Sequence, residues 1–111
     1  MPDLRQAVDH YLQRCFSLEE TPRVSELAAL LGMAREKLSR GFAAAYGVSL
    51  SNYLKRRQLA HAVHLLETSV HSTTRIAYLA GFGTRRTFYR AFRRDTGLSP
   101  DQYRRIRARK S

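Results

Sequence analysis

The chain has 111 residues and a formal net charge of +11, from 20 Lys and Arg against 9 Asp and Glu. This length forms one compact domain, or two very small lobes, and excludes a third domain. With one cysteine, no signal peptide at Met1 and no apolar run near the ~20 residues that span a bilayer, a soluble chain in a reducing, intracellular compartment is expected.

The positive charge is concentrated in the second half of the chain. Residues 1–48 contain six Lys and Arg and six Asp and Glu, whereas residues 49–111 contain fourteen and three. Such a field attracts polyanions and accelerates their encounter with the protein, but it does not distinguish DNA from RNA or acidic lipid. The kind of partner must therefore be inferred from the predicted secondary-structure elements and the residues on them.

Helical periodicity dominates, and no segment alternates for long enough to predict a strand, so the predicted fold class is all-α. The seven predicted helices cover, in chain order, residues 3–15, 23–31, 34–47, 49–68, 72–80, 84–96 and 99–107. The fourth helix is roughly 27 Å long at 1.5 Å per residue, which suits a linker between two units. Ser72 is the predicted N-cap of the fifth helix.

One pattern of residues occurs twice. Leu27-Ala28-x-x-x-Gly32-Met33 returns as Ile76-Ala77-x-x-x-Gly81-Phe82, and Leu38-x-Arg40-x-Phe42 returns as Phe88-x-Arg90-x-Phe92. The offset is 49 residues up to the central glycine and 50 in the second part, because the second copy contains one additional residue, Gly83. A helix that ends at glycine, a short turn and a second helix with apolar residues at i and i+4 predict a helix-turn-helix unit. Small Ala28 and Ala77 allow the helices to approach closely.

The repeat predicts a single domain with two homeodomain-like lobes, in which a first lobe (1–48) and a second lobe (69–111) are joined by a linker helix (49–68). In each unit the second helix enters the major groove of double-stranded DNA, and its first residues reach the base edges. The predicted base-reading residues are Arg35, Glu36, Ser39, Arg40, Arg85, Arg86, Tyr89 and Arg90. The predicted contacts to the DNA backbone are Lys37, Thr84, Thr87 and Arg93, with further neutralising charge from Arg94, Arg104, Arg105, Arg107, Arg109 and Lys110.

The second recognition helix has the more favourable chemistry. An arginine can bond O6 and N7 of guanine with two parallel donors. Glu36 places an acid on the first recognition helix, where it either accepts from a cytosine amine or is repelled by phosphate. We therefore expect the first unit to contribute less affinity.

Three stretches resemble the AraC/XylS family of bacterial transcription regulators: E-L-A-x-x-L-G-M, L-S-R-x-F, and I-A-x-x-x-G-F-x-x-x-x-x-F-x-R-x-F-R-R-x-x-G-L-S-P-x-x-Y-R. The likeness extends from about Leu4 to Arg107. It implies a seven-helix DNA-binding domain in the bacterial cytoplasm that acts on transcription, mostly as an activator and often by contacting RNA polymerase. It also implies reader roles for Glu36, Ser39, Arg40, Arg85, Arg86, Tyr89 and Arg90.

The first unit departs from the family pattern at two helix starts. Ala34 replaces the usual polar cap, a change that typically costs ~1 kcal/mol. Arg23 occupies the position that matches Ser72, so Thr21 is predicted to cap the second helix, with Pro22 in its first turn. The chain is expected to be a monomer, and either a free-standing regulator or an excised C-terminal domain.

Several other interpretations of the sequence bear on function and on the roles of individual residues. The competing hypothesis is a basic interaction module that binds RNA or an acidic protein, with incidental DNA contact. No catalytic set or phosphate-binding loop is recognisable, so neither an enzyme nor a cofactor is expected. His61 and His64 are expected to be packing or solvated residues rather than metal ligands, and Cys15 an apolar filler. Lys55, Arg56 and Arg57 form either a solvated face or a phosphate contact. The predicted core phenylalanines are Phe42, Phe82, Phe88 and Phe92.

Overall fold

The computed structural model describes residues 3–110, with side chains through Ala108, so the predicted phosphate contacts of Arg109 and Lys110 lie outside the described side chains. Seven α-helices follow one another: α1 Leu4–Leu18, α2 Val24–Leu30, α3 Arg35–Tyr46, α4 Leu50–Thr68, α5 Thr73–Leu79, α6 Arg85–Thr96 and α7 Pro100–Lys110. Residues 3–110 contain no strand, and the all-α prediction is confirmed. None of these helices combines the length and the apolarity that crossing a membrane requires.

Helix ends with a local capping signal lie within one residue of the prediction. Ser49 and Ser72 cap α4 and α5, because their side chains accept the backbone N–H groups of Asn52 at 3.2 Å and Arg75 at 3.0 Å. Gly47 ends α3 in the left-handed conformation, with φ 71°. The predicted cap at Ser72 is therefore confirmed.

Helix α1 extends three residues beyond its predicted end at Cys15. Its C-cap is Glu19, the one described non-glycine residue with positive φ, at 57°. The backbone N–H groups of Glu19 and Glu20 donate to the carbonyls of Phe16 and Cys15. Glycine is the usual residue at such a cap, so no local signal predicts this helix end.

The prediction that Thr21 caps α2 is wrong. The N-cap is Arg23, whose side chain makes no capping hydrogen bond. The hydroxyl of buried Tyr11 in α1 instead accepts the backbone N–H of Arg23 at 2.9 Å and donates to the Glu26 carboxylate at 2.7 Å. Burial is the main cause that raises the pKa of Tyr11. A long-range hydroxyl thus replaces the local cap, and Thr21 is left for another contact.

Two hydrophobic cores form, and α4 contributes to both. The first contains Leu50 and Leu54 of α4 together with buried residues of α1, α2 and α3: Val8, Tyr11, Leu12, Cys15, Leu27, Ala28, Leu38 and Phe42. The second contains Leu59, Ala62 and Leu66 of α4 together with Ile76, Ala77, Ala80, Phe82, Phe88 and Phe92. The four predicted core phenylalanines are buried, and Cys15 is an apolar filler as predicted.

Two consecutive α4 residues bind opposite lobes. Arg57 pairs with Asp9 of α1 at 3.0 Å. Gln58 is buried and donates from Nε2 to the carbonyl of Ala80, at the end of α5, at 3.2 Å. The helix changes partner at this point, near its middle.

Candidate nucleic-acid interface

Helix α3 presents its predicted readers on one surface. The four residues line a single shallow depression: Arg35, Glu36, Ser39 and Arg40. Ser39 is half-buried and the other three are exposed, as is Lys37. Leu38 and Phe42, on the opposite side of the helix, have no exposed surface. The apolar side of α3 thus fixes which residues can reach a ligand.

The start of α3 lacks a side-chain cap, as predicted. Ala34 has the φ of −68° and ψ of 141° of an N-cap residue, but its methyl side chain cannot accept the free N–H groups of the first turn. Glu36 lies in this turn, and its negative charge is favourable near the positive end of the helix dipole. Glu36 therefore stabilises the helix start whether or not it contacts a base.

Helix α6 begins with a cap that α3 does not have. Thr84 accepts the backbone N–H of Thr87 at 3.1 Å, and its hydroxyl donates to the hydroxyl oxygen of Thr87 at 2.9 Å. Both threonines are exposed. Because Thr87 accepts this bond, its own hydroxyl proton is free to be donated outward.

Tyr89 is only half-buried, yet its hydroxyl is engaged inside the protein. It bonds to Oγ1 of buried Thr73 at 2.9 Å and to the Asp101 carboxylate of α7. The Arg85 guanidinium lies 4.0 Å from the centre of the Tyr89 ring and 3.7 Å from Asp101. The sequence placed Tyr89 among the outward-facing readers, whereas the structure uses its hydroxyl to join α5, α6 and α7. No local signal predicts hydrogen bonds to partners this far away in the sequence.

Arg86 and Arg90 face a cleft between α4 and α6. Lys55 of α4 and Arg94 of α6 line the same cleft. Arg86 and Arg90 are exposed, and neither takes part in an ion pair among the described side chains. Their donors are therefore available to an anion or to an acceptor on a base.

The basic run of α4 divides between the two roles that the sequence left open. Lys55 and Arg56 are exposed and line a second depression beside the cleft, together with Arg94 and Asp95. Arg57 pairs with Asp9 and also donates to the hydroxyl of Tyr53 at 3.2 Å. Arg57 therefore has a structural role.

Two arginines predicted to neutralise phosphates instead stabilise the end of α4. Arg104 donates to the carbonyls of Leu66 at 3.3 Å, Ser69 at 3.3 Å and His71 at 2.5 Å. Arg107 pairs with Glu67 at 3.2 Å. A cation near the last carbonyls of a helix is electrostatically favourable. Charge counts alone cannot separate an arginine that caps a helix, such as Arg104, from exposed ones such as Arg93 and Arg105.

The histidines singled out in the sequence lie on α4. His61 stacks on Phe16 of α1, with ring centres 4.3 Å apart. Burial is the main cause that lowers its pKa, and nearby His64 adds to the effect. Within the described residues, no three His, Cys, Asp or Glu side chains gather where they could hold a metal ion.

The protein is elongated along one axis. The described residues extend 46 Å along the longest axis and 27 and 24 Å along the others. Successive major-groove segments on one side of B-form DNA lie about 34 Å apart. The long axis exceeds this distance, and α3 and α6 belong to different lobes.

Comparison with known proteins identifies the class of protein to which the chain belongs. A family model described as a helix-turn-helix domain matches residues 27–106. The chain is 37% identical over 82 residues to the HTH-type transcriptional regulator Rv1931c of Mycobacterium tuberculosis, covering 74% of this chain and 32% of the relative. It is 46% identical over 54 residues to the HTH-type transcriptional activator RhaS of Salmonella arizonae, covering 49% of this chain and 19% of the activator.

A solved structure matches nearly the whole chain. The DNA-binding domain of AdpA, a global transcriptional factor crystallised with a target DNA, superposes with a TM-score of 0.86 at 33% identity, covering 98% of this chain and 96% of that one. The chain therefore belongs to the helix-turn-helix domain family and is a DNA-binding domain of the AraC/XylS type. It spans about a third of the length of Rv1931c.

Proposed function

We propose that this domain binds specific double-stranded DNA sequences by placing α3 and α6 in successive major-groove segments, and that it regulates transcription in this way. The observation that carries the proposal is the pair Arg86 and Arg90, which are exposed on α6 and free of acidic partners among the described residues. A guanidinium in this position can bond O6 and N7 of guanine with two donors. The AdpA domain, similar over almost its full length, was crystallised with its target DNA.

The two units are proposed to contribute unequally. Helix α6 has a capped start and three exposed arginines in its first two turns, at 85, 86 and 90. Helix α3 has an uncapped start and carries Glu36, whose charge repels phosphate. We therefore assign most of the affinity to α6. Arg35, Glu36, Ser39 and Arg40 are assigned to a weaker second set of base contacts.

The remaining site residues are assigned supporting roles. Lys37, Thr87 and Arg93 are exposed around the two helices and contact phosphates, which sets the register of the protein without reading sequence. Thr84 orients the hydroxyl of Thr87. Tyr89 contributes its ring as a platform for Arg85, because its hydroxyl is held by Thr73 and Asp101.

The regulatory part of the proposal comes from the relatives. RhaS is a transcriptional activator, and its similarity to this chain over 54 residues supports activation rather than repression. We propose that the DNA-bound domain acts as a monomer in the bacterial cytoplasm, contacts RNA polymerase, and has a binding rather than a catalytic function without a cofactor.

The base-reading role is tested by replacing one arginine on α6. Binding sites are first selected from random duplexes, and an asymmetric motif of two boxes about one helical turn apart is expected. Arg86→Ala should then weaken binding to the selected duplex by about 1 to 3 kcal/mol, roughly 5- to 150-fold, and weaken binding to a scrambled duplex much less. Arg105→Ala removes an exposed charge from α7 and serves as the matched control. Equal losses on both duplexes would reject base reading.

A competition experiment tests the kind of partner. Labelled duplex DNA is displaced by unlabelled duplex DNA or by structured RNA at one salt concentration. A recognition helix fits the major groove of B-form DNA but not the narrow groove of A-form RNA, so DNA should compete more strongly. Stronger competition by RNA, or by an acidic protein, would favour the interaction-module hypothesis.

A further inference from the structure

The matched glycines of the two helix-turn-helix units share a backbone conformation but differ in their surroundings. Gly32 has φ 66° and Gly81 has φ 80°, values that L side chains rarely adopt. A Cβ atom on Gly32 would meet no atom within 4 Å. A Cβ on Gly81 would lie 2.9 Å from Cδ of Pro22 and 3.1 Å from the carbonyl oxygen of Glu20. The second turn is therefore packed against the loop between α1 and α2, in the other lobe.

The extra residue of the second copy lies at the same contact. Gly83 has φ 80°, and a Cβ there would lie 3.2 Å from Oγ1 of Thr21. The first copy has no equivalent residue. The one position by which the copies differ in length thus falls where the lobes meet. This contact also gives Thr21 and Pro22 a role in place of the cap and the first-turn position that the sequence predicted for them.

Further bonds flank this contact. Glu19 pairs with Arg75 of α5 at 2.6 Å. That pair is half-exposed, so it contributes little by itself. Gln58, which donates to the carbonyl of Ala80, is buried and has its Nε2 3.3 Å from the position of a Cβ on Gly81. Glu19, with φ 57°, lies between α1 and the residues that contact Gly81 of the second lobe.

We propose that residues 19–22, packed on residues 80–83, form an interlobe clamp that fixes the distance and angle between α3 and α6. The proposal rests on the proposed insertion of both helices into one duplex. Helix α4 alone is a single connection, and long helices bend. A second connection formed by the clamp restrains that bending and the rotation of one lobe about the helix axis. The clamp residues are thus positioning residues that determine which box spacing the domain accepts.

This role has a measurable consequence on DNA. One inserted base pair moves the second box by about 3.4 Å along the DNA axis and turns it by about 35° around that axis. A rigid pair of lobes cannot follow both changes and must give up contacts in one box. A pair of lobes joined by α4 alone can follow them at a lower cost. The clamp should therefore make affinity depend strongly on spacing, and its loss should weaken that dependence.

The test compares Gly81→Ala with Gly32→Ala in the full chain. Both variants place a side chain at positive φ, but only Gly81→Ala presses on the other lobe. Dissociation constants are measured for a duplex with both selected boxes, for the same duplex with one inserted base pair, and for a duplex with only the α6 box. The wild type and Gly32→Ala should lose about tenfold or more on insertion, and Gly81→Ala less than about threefold. Binding to the single-box duplex should stay within about threefold of wild type for Gly81→Ala, which shows that its own unit is intact.

A second variant keeps the test independent of strain in the turn. Pro22→Ala removes the Cδ atom that lies against Gly81 without adding a residue at positive φ, and it should relax the spacing dependence in the same direction. Circular dichroism confirms that each variant is folded, and Pro22→Ala decides the question if Gly81→Ala does not fold. The clamp proposal is overturned if the folded variants keep the wild-type loss on insertion. A wild type that binds two-box and single-box duplexes equally well would instead refute the two-helix insertion itself.

Discussion

Replacing Tyr89 by phenylalanine separates a structural role of its hydroxyl from a base-reading role. The change keeps the ring beneath Arg85 and removes the bonds to Thr73 and Asp101. Asp101 is about half-exposed, so water replaces the lost partner there at little cost. Thr73 is 9% exposed, and its hydroxyl loses a partner where water has little access. We expect a loss of about 1 to 2 kcal/mol in the free energy of unfolding.

The loss is measured by urea unfolding followed by circular dichroism. Tyr78→Phe is the matched control, because Tyr78 is exposed on α5 and its hydroxyl makes no hydrogen bond within the described residues. Binding of Tyr89→Phe to the selected duplex should change by less than about threefold once the protein is folded. An unchanged unfolding midpoint with about tenfold weaker binding to the selected duplex alone would show that the hydroxyl reads a base, and would refute this reasoning.

Two further predictions concern the first recognition helix and the pH dependence of stability. Ala34→Ser should stabilise the protein by about 1 kcal/mol, because the backbone at Ala34 already has N-cap angles. The control Ala43→Ser, at an exposed position within α3, should not stabilise it. Thermal unfolding of the two variants measures the difference. Since the pKa of His61 is lowered in the folded state, the unfolded state binds its proton more readily, and stability that is full above pH 6.5 should fall as the pH decreases through the folded pKa. His61→Phe, which retains an aromatic ring against Phe16, should flatten this slope in urea titrations between pH 7.5 and 5, and an unchanged slope would assign it to other groups.

The parts of the fold that were predictable are those with a local signal. Two helices begin at serine caps, Ser49 and Ser72, and α3 ends at Gly47. The bonds and angles at these ends are set by immediate neighbours, so the predicted boundaries lie within one residue of the observed ones. The apolar residues at i and i+4 placed Phe88 and Phe92 in the core for the same reason. Periodicity and capping act over one or two turns, which is the range that a single sequence reveals.

The parts that were missed depend on contacts between distant residues. Tyr11 took the capping role assigned to Thr21, and Thr21 lies against Gly83, 62 positions further along the chain. Arg104 looked like any other arginine of a basic tail, but it binds carbonyls more than 30 residues earlier. Neither a helix period nor a charge count contains this information. Only the packing of α1 and α7 against other elements supplies it.

The first half of α4 packs in one core and the second half in the other, and this division has a consequence for the design of chimeric regulators. Arg57 is held by Asp9, whereas its neighbour Gln58 is held by Ala80. In a chimera joined between these two residues, each transplanted half would keep the α4 residues that pack in its own core. A junction at either end of α4 would leave Leu50 and Leu54, or Leu59 and Leu66, facing foreign side chains. The two units are therefore separable, and the boundary between them lies in the middle of α4 rather than in a connecting loop.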